Sequence, residues 1–328
     1  MKYLVFDLDQ TLADVSIVYY FLVSLTIKEY IRENQPYMLQ YFPEELEHQL
    51  KVAYQLFVKR IAEAEHSDNP IGILRPGILN VMKRITRLPH LIKHVAIYSN
   101  NQYLPSIEFV RDLIHEIHRP IIGTCIHWDH PMRRMDHESQ PYVTKTWDTL
   151  RAILNDGSTD LIPKNVYFFD DQNHIHLQMT LRENYYKVPI YKTRDSLDRI
   201  SEIYTSCIEE AKVNIFNLEV HLSDVLGLDI RVTPSNMTAR DLLEQLRSKS
   251  RLIDPYATHA THAQDHGIQI MNDVIDEIRK ENLIKGRRRT LRTRRYTIKK
   301  TSLPVDESID HSCHINHFID LCESESIQ

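Results

Sequence analysis

The stretch VFDLDQTLAD, residues 5–14, decides the fold, because an apolar run ends there in two carboxylates. Residues 2–6, KYLVF, form the short and continuously apolar run that is typical of a parallel β-strand covered on both faces. Asp7 and Asp9 follow at once, and Thr11 comes two positions later. A buried strand can end in carboxylates because they cap a helix or form a turn, or because a reaction takes place there. The rest of the chain has to decide between these interpretations.

The composition describes an ordinary soluble globular protein and excludes several classes. The 328 residues are 42% hydrophobic and 26% charged, a length that suits two domains or one domain with appendages. Seven glycines argue against a glycine-rich phosphate-binding loop. Four widely spaced cysteines form no disulfide framework and favour a reducing, intracellular setting, either cytoplasmic or nuclear. The most apolar run, residues 15–27, is shorter than the roughly twenty residues that a bilayer needs, so we expect no membrane partner. The run follows an acidic rather than a basic start and precedes no small-residue cleavage site, so we expect no secretory signal.

Apolar strands alternate with helical segments up to about residue 195, which predicts βαβ units and an α/β, Rossmann-like parallel sheet. The later strands are expected at residues 94–99, 121–126, 166–169 and 188–191. Between the first two strands, Pro43 begins an amphipathic helix of roughly twenty residues. Its predicted apolar face consists of Leu46, Leu50, Ala53, Phe57 and Ile61.

The predicted organisation has four parts. Residues 1–14 and 70–195 form the α/β core, residues 15–69 a helical cap-like insertion, residues 196–284 a helical appendage, and residues 285–328 a flexible tail that is first basic and then acidic.

The basic block at residues 285–300, KGRRRTLRTRRYTIKK, contains nine Lys or Arg and no acidic residue. Such a block could neutralise the phosphates of a nucleic acid, or it could serve as a nuclear-localisation signal. It could equally be a solvated tail that contacts the acidic remainder of the chain.

Ligands of an open parallel sheet bind at the carboxyl ends of its strands, where this chain has many polar residues. They are Asp7, Asp9, Thr11, Ser99, Asn100, Asp170 and Asp171, and Lys145 begins the helix that leads back to the last two. Carboxylates gathered there would repel one another, and a purely oxygen-containing ligand set favours Mg²⁺ as the compensating cation. A carboxylate can also attack phosphorus and form an aspartyl-phosphate. His174 is a candidate neighbour of the site.

The ordered set D-x-D-x-T, S-N, K and D-D resembles the motifs of the haloacid dehalogenase superfamily of phosphotransferases. The resemblance covers roughly 140 residues of the core. It implies that Asp7 is the nucleophile, that Asp9 is the general acid/base, and that four residues bind the substrate phosphate: Thr11, Ser99, Asn100 and Lys145. It also implies that Mg²⁺ is held by Asp7, the backbone carbonyl of Asp9, Asp170 and Asp171.

A narrower similarity concerns "LRPGILNVMKRI", "IYSNNQ", "YVTKTWDTL" and "FFDDQNH". These segments look like the branch that contains the C-terminal-domain phosphatases and the NLI-interacting-factor-like phosphatases, including members from protists and large DNA viruses. That branch acts on phosphoserine or phosphothreonine in proteins. Gln10 replaces its usual Glu, and both the Lys145–Asp170 spacing and the insertion are longer than in the small phosphatases, so the substrate stays open.

Several alternatives follow from these departures. Residues 15–69 could close over a small-molecule substrate or pack as a structural side domain. The chain could also be a nucleic-acid-associated protein that removes terminal phosphates, or an inactive phosphate-binding scaffold.

Overall fold

The computed structural model describes residues 1–133, 145–154, 161–193, 196–226, 242–248 and 264–301. Its centre is a five-stranded, all-parallel sheet with the strand order β3-β2-β1-β4-β5, which confirms the predicted α/β, Rossmann-like class. The strands are β1 (Lys2–Phe6), β2 (Ile92–Tyr98), β3 (Ile122–Ile126), β4 (Val166–Asp170) and β5 (Tyr185–Lys187).

Helices surround this sheet. The α-helices are α1 (Tyr19–Leu25), α2 (Ile27–Asn34), α3 (Glu44–Glu65), α4 (Ile78–Thr86), α5 (Leu104–Ile117), α6 (Trp147–Leu154), α7 (Ile175–Leu181), α8 (Leu197–Glu210), α9 (Ile215–Leu226) and α10 (Gln264–Thr301). Residues 242–248 are also helical. Within the described part of the chain, none of the helices combines the length and the apolar character that crossing a membrane requires.

Strand β1 lies at the middle of the sheet, and its side chains alternate between two buried layers. Tyr3 and Val5 pack into a cluster with residues of α6 and α7, whereas Leu4 and Phe6 pack into the larger cluster on the other face. Burial on both faces explains why the strand sequence is apolar throughout rather than alternating.

The fifth strand begins three residues earlier than predicted. We expected residues 188–191, but β5 is Tyr185–Lys187, and the rings of Tyr185 and Tyr186 stack on Phe168 and Phe169 at 5.5 and 5.3 Å. The backbone N–H of Tyr191 instead donates to the carbonyl of Gln10 at 2.9 Å. Val188 and Tyr191 are buried, whereas Ile190 is exposed. The N–H of Val188 still donates to the Asp170 carbonyl of β4 at 2.8 Å, and beyond it the chain leaves the sheet for the loop that follows β1.

The insertion packs against the core. All five residues of the predicted apolar face of α3 are buried, as expected. The ring of Phe57 stacks on that of Phe109 of α5, with 5.7 Å between the ring centres. The ring of Phe21 of α1 packs against that of Tyr204 of α8, with 5.1 Å between the ring centres. Residues 1–280 form one compact unit, so insertion, appendage and sheet share a hydrophobic core. The domain boundaries proposed inside this unit stay predictions.

We expected residues 285–328 to form a flexible tail, and the structure describes the backbone of the basic block within it, residues 285–300. Its backbone is helical, because α10 continues through residues 285–300 to Thr301. Lys and Arg are good helix formers, and no proline interrupts the chain between residues 264 and 303. Residues 281–328 form a second unit by themselves, and residues 302–328 of the predicted tail lie outside the described residues.

Candidate active site

The register of the sheet brings the predicted strand-end residues together. Phe6 of β1 is paired with Ile97 of β2 and with Phe169 of β4. The backbone N–H of Asp7 donates to the carbonyl of Phe169 at 2.8 Å, which extends the ladder by one residue and sets Asp7 beside Asp170.

Three of the predicted metal ligands form a buried carboxylate cluster. Asp7, Asp170 and Asp171 each offer an oxygen, and these oxygens all lie within 4.8 Å of one another. All three side chains are buried. Up to three negative charges out of contact with water require more compensation than one lysine provides, and an all-oxygen ligand set suits a hard cation. The residues therefore fit Mg²⁺, although the identity of the metal stays a prediction.

Lys145 lies inside this cluster. Its Nζ donates to Asp7 Oδ1 and, at 2.7 Å, to Asp170 Oδ2, and the residue is only 1% exposed. Burial by itself lowers the pKa of a lysine, but the adjacent Asp7 and Asp170 outweigh this effect and raise the pKa of Lys145. Lys145 is therefore a fixed positive charge between two carboxylates.

The two carboxylates that contact Lys145 differ electrostatically. Burial raises the pKa of Asp7 well above its usual value, and the Lys145 charge only partly opposes this. Burial acts on Asp170 in the same direction, but Lys145 and His174 outweigh it and lower the pKa of Asp170. Nε2 of His174 lies 3.3 Å from Asp170 Oδ2, so this histidine is a neighbour of the carboxylate cluster. The cluster favours the charged form of Asp170 over that of Asp7.

Thr11 is completely buried beside the cluster. Its hydroxyl donates to Asp171 Oδ1 at 3.4 Å, a long hydrogen bond. Burial and the Asp170 charge raise the pKa of Asp171. Thr11 thus contacts a predicted metal ligand, and its proposed contact with phosphate stays a prediction.

Asp9 follows Asp7 by two residues, but its carboxylate contacts a different set of groups. Nδ2 of Asn101 lies 3.2 Å from Asp9 Oδ2, and the hydroxyl of Ser99 donates to the same oxygen at 3.4 Å. Burial raises the pKa of Asp9, and the hydrogen bond from Asn101 opposes this. We had not predicted Asn101; the signal was the second Asn of the S-N-N run.

Asn100 faces a different group from Asn101. Its Oδ1 accepts a hydrogen bond from Nη2 of Arg133 at 2.7 Å. Nη1 of Arg133 donates to the carbonyls of Ser99, at 2.7 Å, and His127, at 3.1 Å, and the guanidinium lies 4.9 Å from the centre of the Tyr98 ring. This buried arginine fixes the loop after β2. A phosphate contact of Asn100 stays a prediction.

Arg75, from the RPG segment, fixes the loop after β1. Its Nε donates to the carbonyl of Thr11 at 2.6 Å, and its Nη2 donates to the carbonyls of Gln10, at 2.6 Å, and Pro189, at 2.5 Å. Gln10 has a positive φ of 60°, which is uncommon for a residue other than glycine. Burial lowers the pKa of Arg75 to about 10. The arginine of the RPG segment therefore has a structural role, because it joins the loop after β1 to the residues after β5.

No model of a known protein family matches this sequence, and no curated protein matches it significantly.

Proposed function

We propose that this chain is a Mg²⁺-dependent phosphomonoester hydrolase of the haloacid dehalogenase type, which works through an aspartyl-phosphate on Asp7. One observation carries the proposal. Asp7 and Asp9 are two residues apart, yet Asp7 lies in the lysine-bridged cluster while the carboxylate of Asp9 is held separately by Asn101 and Ser99. Two carboxylates in different surroundings are suited to two chemical roles.

In the first step, an oxygen of Asp7 attacks the phosphorus of the substrate. The bond between phosphorus and the ester oxygen breaks, and the leaving oxygen takes the proton of the Asp9 carboxyl group. Ser99 directly follows β2, and the ammonium group of Lys145 contacts Asp7 and Asp170 at the ends of β1 and β4, so both side chains can stabilise the phosphoryl oxygens. The products of this step are the free alcohol and the aspartyl-phosphate.

In the second step, a water molecule attacks the phosphorus of the aspartyl-phosphate. The Asp9 carboxylate now accepts the proton of that water, and the bond between phosphorus and the Asp7 oxygen breaks. Inorganic phosphate leaves, Asp7 is again a carboxylate, and Asp9 is again protonated. The net reaction consumes one water for each ester.

The carboxylates of Asp7, Asp170 and Asp171 would hold the metal. When bound, Mg²⁺ supplies positive charge that neutralises the carboxylates and the transferring phosphoryl group. Lys145 holds Asp7 in a fixed orientation, because its ammonium group contacts both Asp7 and Asp170.

The test is hydrolysis of 4-nitrophenyl phosphate by the full chain. We expect activity that EDTA abolishes and Mg²⁺ restores, and that Asp7→Asn reduces to background. Asp129→Asn is the matched control, since Asp129 is an exposed carboxylate on the loop after β3. Activity that persists in Asp7→Asn would refute the nucleophile assignment, and a chain inactive with Mg²⁺ on every phosphomonoester would favour the inactive scaffold.

The substrate class is a finer proposal. The resemblance favours a phosphoserine or phosphothreonine protein, whereas a closing cap would favour a small molecule. Panels of phosphopeptides and phosphorylated metabolites, compared by kcat/KM, separate the two. A preference of at least about a hundredfold for peptides supports a protein substrate, and the reverse preference supports the capped small-molecule phosphatase.

A second candidate function, removal of terminal phosphates from a polynucleotide, is favoured by the helix through residues 285–300, which carries nine basic residues and no acid. Binding of a 5′-phosphorylated oligonucleotide should then weaken steeply with salt. Replacing the nine basic residues by Gln should abolish binding and leave 4-nitrophenyl phosphate turnover unchanged. Binding that survives this replacement rules out the basic block as the binding site. The same block as a nuclear-localisation signal is tested by the distribution of a fluorescent fusion.

A further inference from the structure

We propose that Asn101 is a positioning residue that aims the carboxyl group of Asp9 at the leaving oxygen of the substrate. This inference rests on the proposed phosphatase function and adds a residue to its machinery. It follows from five hydrogen bonds that fix the backbone and the side chain of Asn101.

The side-chain amide of Asn101 has only one orientation that satisfies its neighbours. The backbone N–H of Tyr103 points at one end of the amide, at 2.9 Å, and a backbone N–H can only donate. The oxygen of the amide must therefore be at that end. The NH₂ group then faces Asp9, with Nδ2 at 3.2 Å from Oδ2 and 3.4 Å from Oδ1. Asn101 thus supplies Asp9 with a donor whose identity is set by the backbone.

The backbone of Asn101 is held as well. Its N–H donates to the hydroxyl oxygen of Ser99 at 3.0 Å, and its carbonyl accepts from the backbone N–H of Trp128 at 3.0 Å. Because the Ser99 oxygen accepts from Asn101, its own proton is available for Asp9 Oδ2 at 3.4 Å. Asn101 and Ser99 therefore hold the Asp9 carboxyl group together.

The insertion supports this arrangement through Tyr103. The hydroxyl of Tyr103 lies 2.5 Å from Oγ1 of Thr26, at the junction of α1 and α2, and it also donates to the Thr26 carbonyl at 3.3 Å. The centre of its ring lies 5.6 Å from that of Tyr19, in an edge-on arrangement, and 6.0 Å from that of Tyr30, at a tilt. The insertion thus fixes the residue whose N–H orients Asn101, which gives residues 15–69 a part in the site besides packing.

A general acid contributes only when its proton points at the leaving atom, so a carboxyl group that is free to rotate loses part of its effect. The contribution also depends on the leaving group. A 4-nitrophenolate ion leaves readily without a proton, whereas a phenolate ion, which has the same ring without the nitro group, is more basic and gains from protonation. If the Asp9 carboxyl group is no longer held in position, the hydrolysis of phenyl phosphate should therefore slow more than that of 4-nitrophenyl phosphate.

The experiment compares kcat/KM for these two esters, with Mg²⁺ present, in the full chain and in variants. Asn101→Asp is the informative change, because its carboxylate still accepts from the Tyr103 N–H while the Nδ2 donor to Asp9 is lost. Asn101→Ala is the second variant and removes both contacts. Asp9→Asn reports the loss of the acid itself, and Asn80→Ala, an exposed asparagine of α4, is the control.

We expect Asp9→Asn to lower kcat/KM on phenyl phosphate by about 10²–10⁴-fold and on 4-nitrophenyl phosphate by much less. Both Asn101 variants should show the same selectivity, with about a tenfold larger loss on phenyl phosphate, and Asn80→Ala should match the wild type. If the Asn101 variants lose activity equally on both esters while Asp9→Asn is selective, the inference is wrong and the proposed function stands. If Asp9→Asn is itself unselective, the acid role fails and the inference falls with it.

Discussion

Lys145→Met should destabilise the folded protein strongly when no metal is present. Methionine keeps the length of the side chain but removes the charge and both hydrogen bonds. At the 2.7 Å that separates Nζ from Asp170 Oδ2, the attraction is about 6 kcal/mol for an effective dielectric constant of 20. The variant no longer has to bury an ammonium group, so the net loss is smaller. Removing one partner of a buried pair typically costs about 3–5 kcal/mol, and we expect a loss in this range.

The assay is urea unfolding at pH 7 in EDTA, followed by circular dichroism. Lys51→Met, which changes an exposed lysine of α3, serves as the control and should stay within about 0.5 kcal/mol of the wild type. Adding Asp170→Asn to Lys145→Met should recover part of the loss, since the uncompensated negative charge is then smaller. Mg²⁺ should stabilise Lys145→Met more than the wild type. A loss below about 1 kcal/mol, as for a surface ion pair, would refute the buried-charge reasoning.

Three further predictions concern the metal, a buried glutamate and a buried arginine. Mg²⁺ at a hundred times its dissociation constant should stabilise the wild type by about 2.7 kcal/mol in thermal unfolding, and Asp171→Asn should lose most of this stabilisation. Equal stabilisation of both proteins would exclude the cluster as the metal site. Burial raises the pKa of Glu65, whose Oε1 accepts from the backbone of Ile73 at 2.6 Å, so the folded state binds this proton more tightly than the unfolded state does. The contribution of Glu65 to the free energy of unfolding is present below its unfolded pKa and is lost as the pH rises through its folded pKa. Glu65→Gln should therefore remove this part of the pH dependence of stability, measured by urea unfolding between pH 4 and 7. An unchanged pH profile would contradict the assignment. Arg75→Lys keeps the charge but cannot reach all three carbonyls, so urea unfolding should show a loss of about 3 kcal/mol in the free energy of unfolding. An unchanged unfolding midpoint would show that these three hydrogen bonds do not stabilise the fold.

Much of the site followed from local signals in the sequence. A continuous apolar run identifies a strand covered on both faces, and parallel strands bring their carboxyl ends to one edge. The order of the motifs was therefore enough to expect Asp7, Ser99 and Asp170 close together, and the register of β1 with its neighbours accounts for that proximity.

Other features depended on contacts between distant segments. Asn101 and Asn100 are adjacent asparagines with the same local propensities, and only the position of Tyr103 and Arg133 turns one towards Asp9 and the other away. The start of β5 was misjudged because Val188–Tyr191 is as apolar as a strand, while aromatic stacking on β4 selected the residues before it.

The sequence by itself thus determined the class of fold and the carboxylates at its strand ends, because both depend on patterns that repeat within a few residues. The tertiary structure decided which groups hold those carboxylates. Asp7 is bound by Lys145, Asp9 by Asn101, and the loop carbonyls by Arg75. Only the tertiary structure could decide this, because each of these contacts joins segments that are far apart in the sequence.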